Sequence, residues 1–198
     1  MNNANLIILD WDDTLFPTSW TTKNNFDFAN DYNTNDIILT FSQLDTVMSI
    51  LLLKLTKNNR VIIVTNATKK WVMMSERIIP NSYKFIIGNI PIFSARDLYS
   101  SSTNIMPSDW KKCVFVDIME KSNRSFKNIL SVGDAEYEID ALSNLHKKYK
   151  IKGKTLRFVK NPNYKQIIEQ LEMLTKTIDK IMESKRLVDL SFSTIRRP

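Results

Sequence analysis

The chain has 198 residues, 43% hydrophobic and 25% charged, with Cys113 as its one cysteine; this is ordinary globular composition for a single domain and excludes an internal disulfide. Lys plus Arg exceed Asp plus Glu by 28 to 21, a net charge of +7 that favours anionic partners without specifying one and that a solvated basic surface explains equally well. No uninterrupted apolar run reaches about 18 residues and the N-terminus lacks the regions of a secretion signal, so an intracellular, cytoplasmic protein with no membrane association is expected.

The first element is a short buried strand, Leu6 to Leu9 of LIILDWDDTL, which breaks within four positions into three carboxylates, Asp10, Asp12 and Asp13. In open α/β sheets ligands gather beyond the carboxyl ends of strands, so acids placed there face a ligand rather than the core. Positions two apart on an extended chain point the same way, about 6–7 Å apart, which lets Asp10 and Asp12 address one ligand while Trp11 points elsewhere. The plainer reading is a polar turn, in which Asp and Thr bond nearby backbone. Against it stands mutual repulsion: carboxylates this close raise one another's pKa unless a cation neutralises them. Mg²⁺ suits that task, being bound through one or two carboxylates with phosphate oxygens and water.

Phe16 to Asn35 has neither alternation nor a helical period and reads as a flap over the site, whose Trp20, Phe26 and Phe28 either close on substrate or pin the loop to the body. The segment FSQLDTVMSILLLKLTKNN from Phe41 has helical spacing, with Ser42 as a candidate cap. A β-branched run from Val61 to Val64 then ends in Thr65 and Asn66. Strand, helix and strand at this length make a right-handed crossover, so Thr65 emerges at the same sheet edge as Asp10. A short helix around Lys70 to Ile79 and a third parallel strand over Ile90 to Phe93 follow; Arg96 beyond it either reaches phosphate or pairs with Asp97 on the surface. This insert is too short for a large cap domain.

Pro107-Ser108-Asp109 opens a helix whose first turn holds Trp110, Lys111 and Lys112. Lysine there opposes the helix dipole, so either the pair is merely solvated or one of them has a task. The next strand, Asn128 to Val132, runs into Gly133 and Asp134, and a helix with Ile139, Leu142 and Leu145 inward carries Glu138. Lys154 to Val159 gives a final strand and Tyr164 to Met182 a long amphipathic helix; His146 reads as structural or exposed. One domain over residues 1–184 is expected, with 185–198 a loosely held basic tail.

Asp10-Trp11-Asp12-Asp13-Thr14 resembles the DxDxT signature of the haloacid dehalogenase superfamily, in its aspartate-nucleophile phosphatase branch, and the longer run DWDDTLFPTSW is similar to a little-characterised intracellular subset of it. The resemblance covers roughly residues 5 to 160. It implies a three-layer α/β/α Rossmann-like fold with a mainly parallel sheet, the first strand central and no large cap. It further implies Asp10 as nucleophile, Asp12 as general acid/base, and Thr14 and Asn66 as phosphate-positioning groups. Thr65 would hydrogen-bond the transferring phosphoryl group, and Lys111, with Lys112 as the alternative, would neutralise it. Mg²⁺ would be held by Asp10, the Asp12 backbone carbonyl and Asp134. The second acid of the last motif is Glu138 where the family carries aspartate, which leaves it three roles: water-mediated metal binding, orienting Lys111, or neither. The implied activity is a Mg²⁺-dependent phosphomonoester hydrolase working through an aspartyl-phosphate, its open site suited to a phosphorylated protein or a nucleic-acid end. A catalytically weak binding or regulatory module and a nucleic-acid 3′-phosphatase are the alternatives; the sequence does not indicate an oligomeric state.

Overall fold

The computed structural model describes residues 4–26, 35–122, 126–151, 153–184 and 189–191. Its centre is β1 (Ala4–Leu9), whose Leu6, Ile7, Ile8 and Leu9 are all buried. Successive strand side chains point to opposite faces. Leu6 and Ile8 enter one core layer with Ile62, Val64, Phe115 and Leu142, while Ile7 and Leu9 enter the other with Ile63, Leu44 and Leu171. A strand covered on both faces needs no polar alternation, which is why LIIL is unbroken.

Six strands form one sheet: β1, β2 (Asn59–Thr65), β3 (Ile92–Ser94), β4 (Phe126–Gly133), β5 (Gly153–Arg157) and β6 (Asp189–Ser191), in the order β3-β2-β1-β4-β5-β6 and parallel throughout. On one side lie α2 (Asn35–Asn58), α3 (Lys69–Met74), α4 (Pro80–Asn89) and α8 (Tyr164–Glu183); on the other lie α5 (Ala95–Tyr99), α6 (Trp110–Glu120) and α7 (Glu136–Tyr149). A short α1 (Thr18–Lys23) follows the first strand. This is the expected three-layer Rossmann-like architecture. Strand order runs outward from the centre in both directions, so the chain reverses between β1 and β4 and opens a crevice at their carboxyl ends.

Several expectations shift. The helix read from Phe41 begins at Asn35, so Ser42 lies inside it, its carbonyl accepting from Thr46 Oγ1 at 2.9 Å. The helix around Lys70 to Ile79 divides into α3 and a 3₁₀ turn at Ser75–Arg77, after which Pro80, favoured in a first helical turn, opens the unpredicted α4. The third strand starts two residues later than Ile90, and the last predicted strand is Gly153–Arg157. The tail supplies an unpredicted β6: Leu190 pairs with Leu156, and Thr155 Oγ1 donates to Asp189 Oδ1 at 2.7 Å. The rest of the tail lies outside the described residues. Helix α2 is long and apolar enough to cross a membrane by length and composition, but its Phe41, Leu44, Met48, Leu51 and Leu55 pack into the core.

Candidate active site

Asp10 continues the β1–β4 pairing one residue past the strand, its N–H donating to the Val132 carbonyl at 2.9 Å. The chain then turns tightly on Trp11, whose carbonyl accepts from the N–H groups of Leu15 and Phe16 at 3.0 and 2.9 Å, while the Asp13 N–H donates to the Phe16 carbonyl at 2.7 Å. Asp13 takes φ 54°, a left-handed conformation that aspartate tolerates better than most residues. The turn sends Trp11 into the core, stacked on Phe16 with centroids 5.8 Å apart. Asp13 fixes α1: its Oδ1 accepts from Ser19 N–H at 2.8 Å and its Oδ2 from Ser19 Oγ, which also contacts Asn161 Oδ1 at 3.3 Å. Burial raises the Asp13 carboxyl pKa.

Lys111 is 2% exposed and stands between two buried carboxylates. Its Nζ lies 2.7 Å from Asp10 Oδ1, which sets the carboxylate against a buried counter-charge. On its other side the ammonium donates to Glu138 Oε1, and Glu138 Oε2 accepts from the Ala135 N–H at 3.2 Å. Glu138 therefore touches Lys111 directly, the geometry that orienting the lysine would need. Gly133 makes this possible: a Cβ there would lie 2.6 Å from Glu138 Oε2 and closer still to Cγ. Burial opposes the lysine charge, but the carboxylates of Asp10 and Glu138 outweigh it and raise the pKa above the ordinary value. Burial likewise raises Asp10 well above the carboxylate range, against the pull of Lys111. Two carboxylates share one cation, so the trio carries an excess negative charge that a proton or a metal must meet.

Lys112 points away, pairing with Asp109 Oδ1 at 2.8 Å and lying 4.0 Å from Asp140. The structure thus brings Lys111, and not Lys112, to Asp10.

Asp12 is held from three elements. Its Oδ1 accepts from Thr18 Oγ1 at 2.6 Å and from Trp71 Nε1 at 2.9 Å; its Oδ2 accepts from Thr65 Oγ1 at 3.3 Å. Thr65, fully buried at the end of β2, also accepts from the Ala67 N–H at 2.9 Å. The hydroxyl of buried Thr14 and the amide oxygen of Asn66 are both buried without a hydrogen-bond partner, so neither is yet committed. Asp134, at the exit of β4, has its carboxyl pushed up to about 7 by burial and by the neighbouring Glu138 and Asp13. Asp97, the expected surface partner of Arg96, instead accepts from the Lys69 N–H at 2.8 Å. Of the flap aromatics, Trp20 and Phe26 pin the loop: Trp20 packs on Tyr164 at 4.9 Å and on Phe26 at 5.2 Å, and both rings contact Phe41. Phe28 lies outside the described residues.

Among the described residues no three His, Cys, Asp or Glu side chains form a ready-made metal cluster. Mg²⁺ does not require one, since one or two carboxylates with water and phosphate suffice. The donor set fits such an ion: Asp10 and Asp134 offer carboxyl oxygens at the exits of neighbouring strands, and burial, ahead of neighbouring charge, raises the proton affinity of both.

The layers and strand order define a three-layer, Rossmann-like α/β fold. The chain superposes on the HAD domain of effector protein Lem4 from Legionella pneumophila with a TM-score of 0.56, covering 91% of this chain and 96% of that one at 14% identity. At that identity the likeness shows the fold alone. No protein-family model matches the sequence, and no curated protein does either.

Proposed function

We propose that the protein is a Mg²⁺-dependent phosphomonoester hydrolase of the DxDxT type. The observation that carries the reading is the buried Asp10–Lys111–Glu138 trio at the carboxyl end of the central strand. Burying an ammonium between two acids is expensive unless the arrangement has a use, and next to a carboxylate at a ligand-binding edge that use is reaction with an anion.

Asp10 attacks phosphorus in line, forming an aspartyl-phosphate as the bond to the leaving oxygen breaks. Asp12 protonates that oxygen, then takes a proton from the water that hydrolyses the acyl phosphate and frees Asp10. Lys111, fixed by Glu138, stabilises charge on the phosphoryl oxygens, as do the hydroxyls of Thr65 and Thr14 and the side-chain amide N–H of Asn66. The Asp10 and Asp134 carboxylates and the Asp12 backbone carbonyl would hold Mg²⁺, which supplies charge neutralisation so that one anion can approach another. With no large cap among the described residues, the site suits an exposed phosphate, on a protein or a nucleic-acid end, better than a small enclosed metabolite. Phosphate release from 4-nitrophenyl phosphate with Mg²⁺ tests the reading. Asp10→Asn should abolish turnover and trapping of beryllofluoride; turnover unchanged by Asp10→Asn would refute the nucleophile.

A further inference from the structure

The general acid proposed above must present one oxygen to the leaving group and keep the other still. The two oxygens of Asp12 are treated very differently. Oδ1 takes two well-formed hydrogen bonds, from Thr18 Oγ1 at 2.6 Å and Trp71 Nε1 at 2.9 Å. Oδ2 takes a single long one, 3.3 Å, from Thr65 Oγ1, the hydroxyl assigned to the phosphoryl group. Substrate that engages Thr65 would release Oδ2 and leave Oδ1 where it is.

We infer that Trp71 is a positioning residue for the acid/base step: its indole N–H fixes Asp12 through Oδ1 so that Oδ2 is the oxygen that gives and takes the proton. The inference rests on the reading of Asp12 as general acid. Trp71 is suited to the task because it is itself immobilised. Thr68 caps α3, its Oγ1 accepting from the Trp71 N–H at 3.2 Å. The ring meets Phe16 edge-on with centroids 6.2 Å apart, and it packs against the buried core beneath. Thr18 opens α1, six residues from Asp12 in the chain, whereas Trp71 arrives from α3, beyond the second strand. It ties the acid to the body of the domain. Both donors are neutral, so they serve the protonated and the ionised carboxyl alike, as a group that cycles between the two requires. In the first step Oδ2–H passes its proton to the leaving oxygen as the P–O bond breaks and the Asp10–P bond forms; in the second, Oδ2 accepts a proton from water as the new P–O bond forms and Asp10 is released.

Leaving-group dependence separates this role from a structural one, since a good leaving group needs little protonation and a poor one needs much. Wild type, Trp71→Phe, which keeps the ring and removes the N–H, and Thr18→Val are compared on 4-nitrophenyl phosphate and on phenyl phosphate with Mg²⁺. Each variant should lose about tenfold or more in kcat/KM on phenyl phosphate and less than about threefold on 4-nitrophenyl phosphate; kcat/KM is the quantity compared throughout, because it excludes the hydrolysis step that both substrates share. Trp71→His, which returns a ring N–H, should recover part of the loss. Should Trp71→Phe fail to fold, Thr18→Val carries the same signature. An equal loss on both substrates, or none on either, overturns the positioning role while leaving the hydrolase reading intact. A wild type with no Asp10-dependent turnover on either substrate removes that reading, and this inference with it.

Discussion

The crevice between β1 and β4 and the outer face of α6 are built from the same residue types and reach opposite solutions. In the crevice, Lys111 is buried against Asp10 and Glu138. One residue further on, Lys112 pairs with Asp109 at 2.8 Å on the surface, and Lys121 pairs with Asp117 at 2.7 Å a few turns on. The surface pairs are screened by water and contribute little to stability. The buried trio is held in a low-dielectric site where each charge depends on the others. Neighbours in sequence thus differ because of where the helix points them, and the charge that is costly to bury is the one that reaches Asp10.

The most forceful way to break this contrast is to remove one ammonium at a time. Lys111→Met should destabilise the fold by about 3–5 kcal/mol, because it leaves Asp10 and Glu138 buried without a counter-charge, and should abolish turnover. Lys112→Met should leave the denaturation midpoint and the turnover where they are. Urea titrations and phosphate release on both variants check this; equal effects would erase the distinction.

A smaller effect sharpens the packing side of the comparison. Gly133→Ala places a methyl against Glu138, so the carboxylate must swing away from Lys111. A loss of about 1–3 kcal/mol is expected from the overpacking, and Gly133→Ala with Glu138→Ala should recover part of the stability but not the activity, which a double-mutant cycle reads directly.

The smallest effect is in pH. The Asp134 carboxyl is raised from 3.8 to about 7. With the folded value above the unfolded one, this group's contribution to stability without metal is fully present below about pH 4 and is lost as pH rises through about 7. A metal ligand must be ionised, so below pH 7 Mg²⁺ has to displace the proton. At pH 6 roughly a tenth of the sites are ionised, and the rise in Tm caused by Mg²⁺ should be clearly smaller at pH 6 than at pH 8. A Mg²⁺ response that does not change across this range would remove Asp134 as a ligand.

The sequence showed most of the fold, because buried parallel strands leave a local trace. LIIL and VIIV are apolar without a break and end at once in Asp10 and Thr65 at the sheet edge; the run before Gly133, ILSV, is interrupted only by Ser131, with Asp134 just past the glycine. Of the site, Asp10, Asp12, Thr65, Lys111 and Asp134 were legible as polar groups at element ends. Their supports were not. Trp71 looks like any helix aromatic, and Thr18, Ser19 and Asn161 look like loop residues; what they do depends on hydrogen bonds across as many as 142 positions, which no local spacing encodes. The contact of Glu138 with Lys111 was equally hidden, since it is set by the helix phase of α6 against α7. Helix α4 went unread because Gly88 and two flanking prolines, Pro80 and Pro91, punctuate it like a loop, and β6 because three residues are too few for a pattern.

The last strand, Asp189–Ser191, also decides what the sheet shows to its surroundings. By lying alongside β5 it occupies the hydrogen-bonding groups of a strand whose neighbours are apolar. A protein shortened before residue 189 would leave that rim bare, inviting a second molecule to add its own strand, so self-association, not only weaker folding, is what such a truncation would bring.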